Sequence, residues 1–257
     1  MTAVEVEPSR SVLQRALSIL DAFEAGDIEL SLTVIAERAA LPKPTAFRMA
    51  QELVDWGALE RGAHGGYELG VRLFVLGERV PRHRDLREAA MPYLEDLYEA
   101  THENVNLGVL NGSEVLCLAR VSGHRSSDIA FRVGNFLPAH STSIGKALLA
   151  YSDGEVVRAV VAGGLARFTP NTIVMPGPLT RTLRQVVERG YATTHEETRP
   201  GVVSVAAPVF GPHGVPLAAI SITGRASRVD VHRLAPAVCS AAASLSRSLA
   251  SARSLAR

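Results

Sequence analysis

Apolar residues near the start of the chain recur three and four positions apart, and this helical periodicity leaves few folds open. It predicts three short helices in succession. The first follows Ser11 as its N-cap and continues to Gly26, and the third ends at Gly57. Two extended segments around a glycine-rich turn then predict a β-hairpin. Helix, helix, turn, helix and hairpin is the order of a winged helix-turn-helix, and a generic small α+β unit is the alternative.

The third predicted helix begins with polar and basic residues. In a helix-turn-helix the recognition helix lies in the major groove of DNA and presents its N-terminal residues to the bases. Arg48 can donate two hydrogen bonds to a guanine, and Thr45 can contact a phosphate or a thymine methyl group. An ordinary solvated helix face is the alternative. Together with two residues expected on the wing, the candidate DNA-binding residues are Lys43, Pro44, Thr45, Arg48, Arg61 and His64.

Bulk charge does not support DNA binding. The formal net charge of the chain is only +1, and the first eighty residues carry more acidic than basic side chains. A DNA-binding domain is usually basic as a whole. The prediction therefore depends on where the basic residues lie rather than on how many there are.

Residues 71–85 are predicted to connect two domains. They contain a short helical run, residues 71–78, followed by a proline and a cluster of charged residues. This run has more apolar surface than a solvated linker requires, which indicates a contact between two copies of the chain. One winged helix covers only half of a DNA site, so specific binding also calls for two copies. The predicted organisation is a winged helix-turn-helix domain at residues 10–70, a linker helix at 71–85 and a second domain at 86–254.

The second domain is predicted to be α+β, with an antiparallel sheet between helices. A long amphipathic helix is expected from residue 86, and an Asn-Gly pair at residues 111–112 predicts a hairpin turn. On the return strand of that hairpin, Val115, Cys117 and Ala119 alternate with other residues. The remaining predicted elements are helices at residues 143–151, 154–161 and 179–189, strands at 202–210 and 215–223, and a C-terminal helix at 231–256.

Composition and motifs argue against several classes of protein. The two cysteines, Cys117 and Cys239, lie far apart and form no CxxC pair, so a reducing cytoplasm fits better than a disulfide framework. The acidic N-terminus has no apolar run typical of a secretory signal, and the longest apolar runs are too short to span a membrane. The histidines are scattered and nucleotide-binding glycine motifs are missing. Neither a metal nor a cofactor is therefore expected.

The stretch STSIGK at residues 141–146 has a chemistry of its own. Small hydroxyl residues that open a helix leave backbone N–H groups available, and this end of a helix attracts a carboxylate or a phosphate. A glycine in the stretch keeps the approach uncrowded. Simple helix capping by serine or threonine is the alternative.

The same stretch contains the Ser143-x-x-Lys146 spacing of the nucleophile and lysine in penicillin-binding enzymes. That chemistry also needs an SDN-like and a KTG-like element. The chain has only two lysines, Lys43 and Lys146, and Ser127-Asp128 is followed by an isoleucine. Both further elements are therefore missing, and a serine-dependent hydrolase that uses Ser143 and Lys146 remains only as the alternative function.

Several separated segments, in this order, resemble the isocitrate-lyase-regulator (IclR) family of bacterial transcription factors. The resemblance covers roughly residues 10–250, and it differs from the usual family pattern at Pro44 and Phe47. The segments are LQRALSIL (13–20), LPKPTAFR (41–48), YELG (67–70), LPAHSTSIGKA (137–147), VAAPVF (205–210) and AAISITG (218–224).

This resemblance implies a transcriptional regulator rather than an enzyme. It would bind double-stranded operator DNA as a homodimer or a dimer of dimers and respond to a small aliphatic or aromatic carboxylic acid. The second domain would be GAF-like, with a six-stranded antiparallel sheet flanked by helices. Backbone donors, hydroxyl groups and apolar walls would hold the acid. Few charged residues fall in these segments, so we expect no arginine to contact the carboxylate. The implied effector-binding residues are Ser143, Ile144, Gly145, Ser204, Ser221, Thr223, Leu137, Ile129, Val202 and Thr194.

Overall fold

The computed structural model describes residues 10–24, 26–122, 131–211 and 214–255. The chain divides between Pro81 and Arg82 into two compact units. Each unit has its own buried apolar core. Among the described residues, no helix is both long and apolar enough to cross a membrane.

The first unit is a winged helix-turn-helix, as the periodicity predicts. Three helices and the hairpin bury a shared apolar core that includes Ile19, Ile35, Met49 and Leu59. The hairpin strands are antiparallel. The elements are α1 (Val12–Asp21), α2 (Leu32–Arg38), α3 (Lys43–Trp56), β1 (Leu59–Arg61), β2 (Tyr67–Leu69) and α4 (Val71–Gly77).

Two of the predicted helix boundaries are confirmed, and both depend only on neighbouring residues. The hydroxyl of Ser11 accepts a hydrogen bond from the N–H of Gln14 at 3.1 Å and caps α1. The helix α3 ends at Gly57, whose φ of 85° lies in the left-handed region that glycine adopts readily. Both signals are local, so the sequence alone could place them.

The predicted end of α1 at Gly26 is wrong, because the helix stops at Asp21. Arg38 of α2 donates a hydrogen bond to the carbonyl oxygen of Ala22 at 2.9 Å, and it also forms an ion pair with Asp27. The last carbonyls of a helix need donor partners from outside the helix. A side chain from another helix therefore allows α1 to end before its glycine.

The second unit is built on a six-stranded antiparallel sheet with strand order β5-β4-β3-β8-β7-β6, flanked by helices. This confirms the predicted α+β fold. The strands are β3 (Asn104–Asn111), β4 (Glu114–Val121), β5 (Phe136–Pro138), β6 (Ala192–His195), β7 (Val202–Phe210) and β8 (Pro216–Arg225). The helices are α5 (Pro81–Thr101), α6 (Ser143–Leu149), α7 (Gly154–Ala162), α8 (Pro176–Arg189) and α9 (Val231–Leu255).

The two faces of the sheet differ in chemistry. One face is apolar and packs against α5 and α9, with Leu107, Val205 and Ile220 fully buried. The other face packs against α6 and α8 through small residues such as Ala206 and Ala219. Because small side chains occupy less space than branched ones, this second face leaves room for a cavity between the sheet and α6.

The helix α5 begins at Pro81, five residues before the predicted start at residue 86. Proline suits the first turn of a helix, since the missing N–H would have no partner there. The charged residues that follow it in the sequence therefore belong to the helix. The short edge strands β5 and β6 were not predicted from the residue pattern.

A register shift in the β3–β4 pair changes the direction of side chains on the return strand. Leu107 lies opposite Ala119, whereas the next residue, Gly108, lies opposite Cys117, which leaves Leu118 as an extra residue. Cys117 consequently packs in the cluster that contains α6, and Ala119 packs in the cluster that contains α5 and α9. The regular alternation predicted for this strand is therefore wrong at Ala119.

A candidate effector pocket and a candidate DNA-binding surface

A cavity of about 180 Å³ lies in the second unit between the sheet and the start of α6. Hydroxyl side chains from β6, β7 and β8 form one part of its surface, and aliphatic and aromatic side chains form another. The lining residues are Phe131, Leu137, Thr142, Ser143, Ile144, Thr194, Thr198, Arg199, Val202, Ser204, Ser221 and Thr223.

The structure brings most of the predicted effector residues together around this cavity. They are Ser143, Ile144, Ser204, Ser221, Thr223, Leu137, Val202 and Thr194. Ile129, which was expected to form an apolar wall, lies outside the described residues. Gly145 is described but does not belong to the lining.

Hydroxyl groups on adjacent strands form the polar wall of the cavity. Thr194 lies opposite Ser204 in the sheet, and Ser204 lies opposite Thr223. The Oγ of Ser204 is 2.7 Å from the Oγ of Ser143 and 2.9 Å from the Oγ1 of Thr223. Ser221 shares this face because alternate residues of a strand point the same way. The wall is thus a connected network of groups that can each donate or accept a hydrogen bond.

Asn106 of β3 supports this wall from inside the sheet, and sequence analysis missed it. Its side chain is buried, and its Nδ2 donates to the Oγ of Ser221 at 3.3 Å and to the Oγ1 of Thr223 at 3.4 Å. A hydroxyl oxygen that accepts from an amide keeps its own proton to donate. Asn106 therefore leaves the proton of Ser221 available to an acceptor in the cavity. The Oγ of Ser204 donates to the carbonyl oxygen of Ile222 at 3.0 Å, so Thr223 donates its own proton to Ser204.

Gly145 holds the start of α6 in place instead of lining the cavity. Its N–H donates to the Oγ1 of Thr142, the N-cap of α6, at 3.1 Å. A Cβ at this position would lie 2.1 Å from the carbonyl oxygen of Ala139, so a side chain would collide with the 3-10 turn Ala139–Ser141. The predicted role of Gly145 as a donor to the effector is therefore replaced by a packing role.

Lys146 and Glu197 form a buried ion pair. The Nζ of Lys146 is 2.5 Å from both carboxylate oxygens of Glu197, and the two side chains are 1% and 9% exposed. Burial lowers the pKa of Lys146 and raises the pKa of Glu197, while their mutual attraction opposes both shifts. The pair joins α6 to the segment between β6 and β7, residues 196–201, which we call the rim loop.

The rim loop contributes two lining residues that sequence analysis did not predict, Thr198 and Arg199. The expectation that the site has no arginine is therefore wrong. It was based on the composition of the predicted helix and strands, whereas Arg199 comes from the connection between two strands. Phe131 and Thr142 are the other unpredicted lining residues, and Thr142 could have been found as the neighbour of Ser143.

The first unit exposes the predicted recognition residues at the start of α3. Lys43, Pro44 and Arg48 are exposed and Thr45 is half-buried. The Nζ of Lys43 donates to the Oγ1 of Thr33 at 2.8 Å. Within the described part of the chain, Arg48 has no hydrogen-bond or ion-pair partner, so its guanidinium donors are available to another molecule.

The predicted wing residues occupy different positions on the hairpin. Arg61 is the last residue of β1, and its guanidinium lies 4.2 Å from the ring centroid of Tyr67 and donates to the Oε1 of Gln51 at 2.9 Å. It therefore joins the wing to α3. His64 lies in the turn and is exposed.

Glu29 fixes the turn of the wing, a contact that the sequence did not reveal. Its carboxylate accepts from the N–H of Gly66 at 2.6 Å and from the N–H of His64 at 3.2 Å. A Cβ at Gly62 or Gly66 would lie 2.2 or 2.7 Å from an atom of the Glu29 side chain. Glycine at both positions therefore lets the carboxylate enter the turn.

Two family models match the chain. One, described as bacterial transcriptional regulator IclR C-terminal, matches residues 79–247, and the other, described as IclR helix-turn-helix domain, matches residues 12–63. The chain belongs to the IclR family of bacterial transcriptional regulators. The resemblance found in the sequence is thereby confirmed, and the first unit of this IclR regulator is its helix-turn-helix domain.

Two relatives of this IclR-family chain are named as transcriptional regulators. It is 36% identical over 243 residues to the HTH-type transcriptional regulator BhcR of Paracoccus denitrificans, covering 93% of this chain and 87% of the relative. It is 34% identical over 225 residues to the HTH-type transcriptional regulator XynR of Escherichia coli, covering 87% and 89%.

One related solved structure is a complex with a small ligand. An IclR homologue from Microbacterium hydrocarbonoxydans, complexed with 4-hydroxybenzoate, superposes with a TM-score of 0.86 at 33% identity. The match covers 93% of this chain and 99% of that one. The fold of the IclR-family chain is therefore shared along nearly its whole length.

The alternative of a hydrolase gains no support from the geometry of this IclR-family chain. The Oγ of Ser143 is paired with the Oγ of Ser204, and the Nζ of Lys146 is paired with Glu197. A nucleophilic serine needs a base within hydrogen-bond reach. The ion pair instead directs the lysine toward the rim loop.

Proposed function

We propose that this regulator senses a small organic monocarboxylic acid, aliphatic or aromatic, in the cavity of its second unit. The observation that carries the proposal is the two-sided lining of that cavity. Hydroxyl groups of Ser204, Ser221 and Thr223 lie on one side, and the apolar side chains of Leu137 and Val202 lie on another. Such a site can hold the carboxylate of an acid and enclose its hydrocarbon part.

The polar wall offers donors, and this favours a ligand that accepts hydrogen bonds. Ser221 accepts from Asn106, which keeps its own proton available. Among the described residues, the backbone N–H groups of Ser143 and Ile144 have no protein acceptor. A carboxylate is acceptor-only when ionised, so it can use all of these donors.

The size of the cavity limits the acid to a small one. An apolar cavity of about 150 Å³ is large enough for benzene, and the cavity here has a volume of about 180 Å³. A single aromatic ring with a carboxylate, or a short aliphatic acid, therefore fits. The related Microbacterium structure is described as a complex with 4-hydroxybenzoate, which supports the same class of ligand.

Calorimetry with a panel of aliphatic and aromatic monocarboxylates tests this proposal. We expect the full chain to bind at least one acid of the panel, and Ser221→Ala to weaken that binding by about 10- to 100-fold through the loss of one hydrogen bond to a charged group. Ser143→Phe should abolish binding, since the ring would fill the space next to Ser204. The matched control is Ser240→Ala, which removes an exposed hydroxyl on α9. If both pocket variants bind the acid as well as the wild type does, the pocket lies elsewhere.

We also propose that the regulator acts on DNA as a homodimer or a dimer of dimers, with α4 in the contact. Four apolar side chains of this helix are 40–67% exposed: Val71, Phe74, Val75 and Leu76. This is a large apolar surface for one short helix, and a second copy of the chain would cover it. Two copies would also present two recognition helices to a palindromic operator.

Light scattering at micromolar concentration should show a dimer or larger assembly of the full chain. Phe74→Asp should shift the mass toward the monomer, because a charge in a buried contact is unfavourable. Val187→Asp is the matched control, since Val187 is 50% exposed on α8, outside the proposed contact. A wild type that is monomeric with and without operator DNA would rule out this assembly.

A further inference from the structure

The backbone of the rim loop is held by hydrogen bonds at its first two residues, Glu196 and Glu197. The N–H of Glu196 donates to the carbonyl oxygen of Val202 at 2.8 Å, which closes the loop. The Oγ1 of Thr169 donates to the carbonyl oxygen of Glu196, and the Oγ1 of Thr172 donates to that of Glu197, both at 2.6 Å. These contacts fix the backbone on either side of Thr198 and Arg199.

The ion pair between Lys146 and Glu197 adds to this arrangement at the start of the loop. Burying two charges is unfavourable unless the pair is well aligned, and here both carboxylate oxygens lie within 2.5 Å of the ammonium nitrogen. The pair joins the loop to α6, whose first residues line the cavity. The next two residues of the loop, Thr198 and Arg199, line the cavity as well.

The charge of Arg199 distinguishes it from the rest of the lining. The other residues that the structure shows around the cavity have hydroxyl, aliphatic or aromatic side chains. A hydroxyl donates or accepts, so it can bind a carboxylate, an amide or an alcohol. A guanidinium only donates and remains charged, and it is therefore the group that can favour an anion over a neutral ligand of the same shape.

We propose that Arg199 is the residue that makes the cavity prefer an ionised carboxylate over a neutral amide. The proposal rests on the acid-sensing function given above and deepens it. The hydroxyl wall and the start of α6 orient the ligand, and Arg199 selects its charge. Lys146 and Glu197 act as positioning residues, because they hold the loop that carries the arginine.

Calorimetry on the full chain with two matched pairs of probes tests this assignment, namely benzoate with benzamide and 4-hydroxybenzoate with 4-hydroxybenzamide. We expect the wild type to bind the acid of a pair at least about ten times more tightly than its amide. Arg199→Gln should weaken binding of the acid by about 10- to 100-fold and change binding of the amide by less than about twofold. Arg199→Lys should keep part of the preference, since it keeps the charge.

The matched control is Arg167→Gln, which removes an exposed arginine of the same unit that does not line the cavity. It should keep the acid-to-amide ratio of the wild type. An Arg199→Gln variant that also keeps this ratio would overturn the assignment of Arg199 and leave the acid-sensing function intact. A wild type that binds none of the four probes and no acid of the wider panel would overturn both.

Discussion

Replacing Lys146 alone with methionine should lower the free energy of unfolding of the second unit by about 3–5 kcal/mol. The change leaves the carboxylate of Glu197 without its cation in a site where the glutamate side chain is only 9% exposed. The carboxylate must then be either desolvated or protonated on folding, and both are unfavourable. Methionine fills nearly the same volume, so the loss comes from the charge rather than from a cavity.

The single tryptophan of the chain allows unfolding of the two units to be followed separately. Trp56 lies in α3 of the first unit, so its fluorescence follows unfolding of that unit, whereas far-ultraviolet circular dichroism follows both. We expect Lys146→Met to move the denaturant transition seen by circular dichroism to a lower denaturant concentration. The transition seen by fluorescence should remain unchanged. A two-unit chain is not expected to unfold in one step, so the two signals are analysed separately.

The double variant Lys146→Met with Glu197→Leu is the matched control, because it removes both charges together. Replacing a whole buried pair by apolar residues is often neutral or stabilising, so most of the lost stability should return. Arg158→Ala should have little effect, since Arg158 and Glu155 form an exposed pair at 3.7 Å. A single variant as stable as the wild type would contradict the buried ion pair.

The second large effect is a loss of DNA affinity, which we expect from substitutions at the start of α3. Arg48→Ala should weaken binding to a palindromic site in the promoter DNA by about 1–3 kcal/mol if Arg48 contacts a guanine. Thr45→Ala should weaken binding to the same site. Lys43→Ala should instead weaken binding to all sequences and reduce the dependence on salt concentration, because a phosphate contact carries no sequence information.

Electrophoretic mobility shifts at several salt concentrations, with the promoter fragment and a scrambled fragment, separate these outcomes. Arg184→Ala, which removes an exposed arginine on α8 of the second unit, is the matched control for loss of one positive charge. If the three α3 variants all shift the promoter fragment as the wild type does, the recognition helix has been assigned to the wrong segment.

Much of the cavity could be predicted because its residues obey local rules. Ser221 and Thr223 are two positions apart in one strand and therefore share a face. Ser143 follows a threonine that caps its helix, which is a pattern visible within four residues. The family resemblance then indicated that this face and this helix surround one site. Local periodicity could not show that Asn106, from a distant part of the chain, donates to these hydroxyls.

The sequence by itself determined the order of the helices and of the longer strands, the caps at Ser11 and Gly57, and the face of β8 that carries hydroxyl groups. Each of these depends on residues within a few positions of one another. The tertiary structure alone decided where α1 ends, which way Ala119 points and that Arg199 reaches the cavity. Each of these depends on contacts between distant segments, such as the bond from Arg38 to Ala22 and the 51-residue separation between Lys146 and Glu197. Pairing between distant residues is set by packing, which periodicity does not encode.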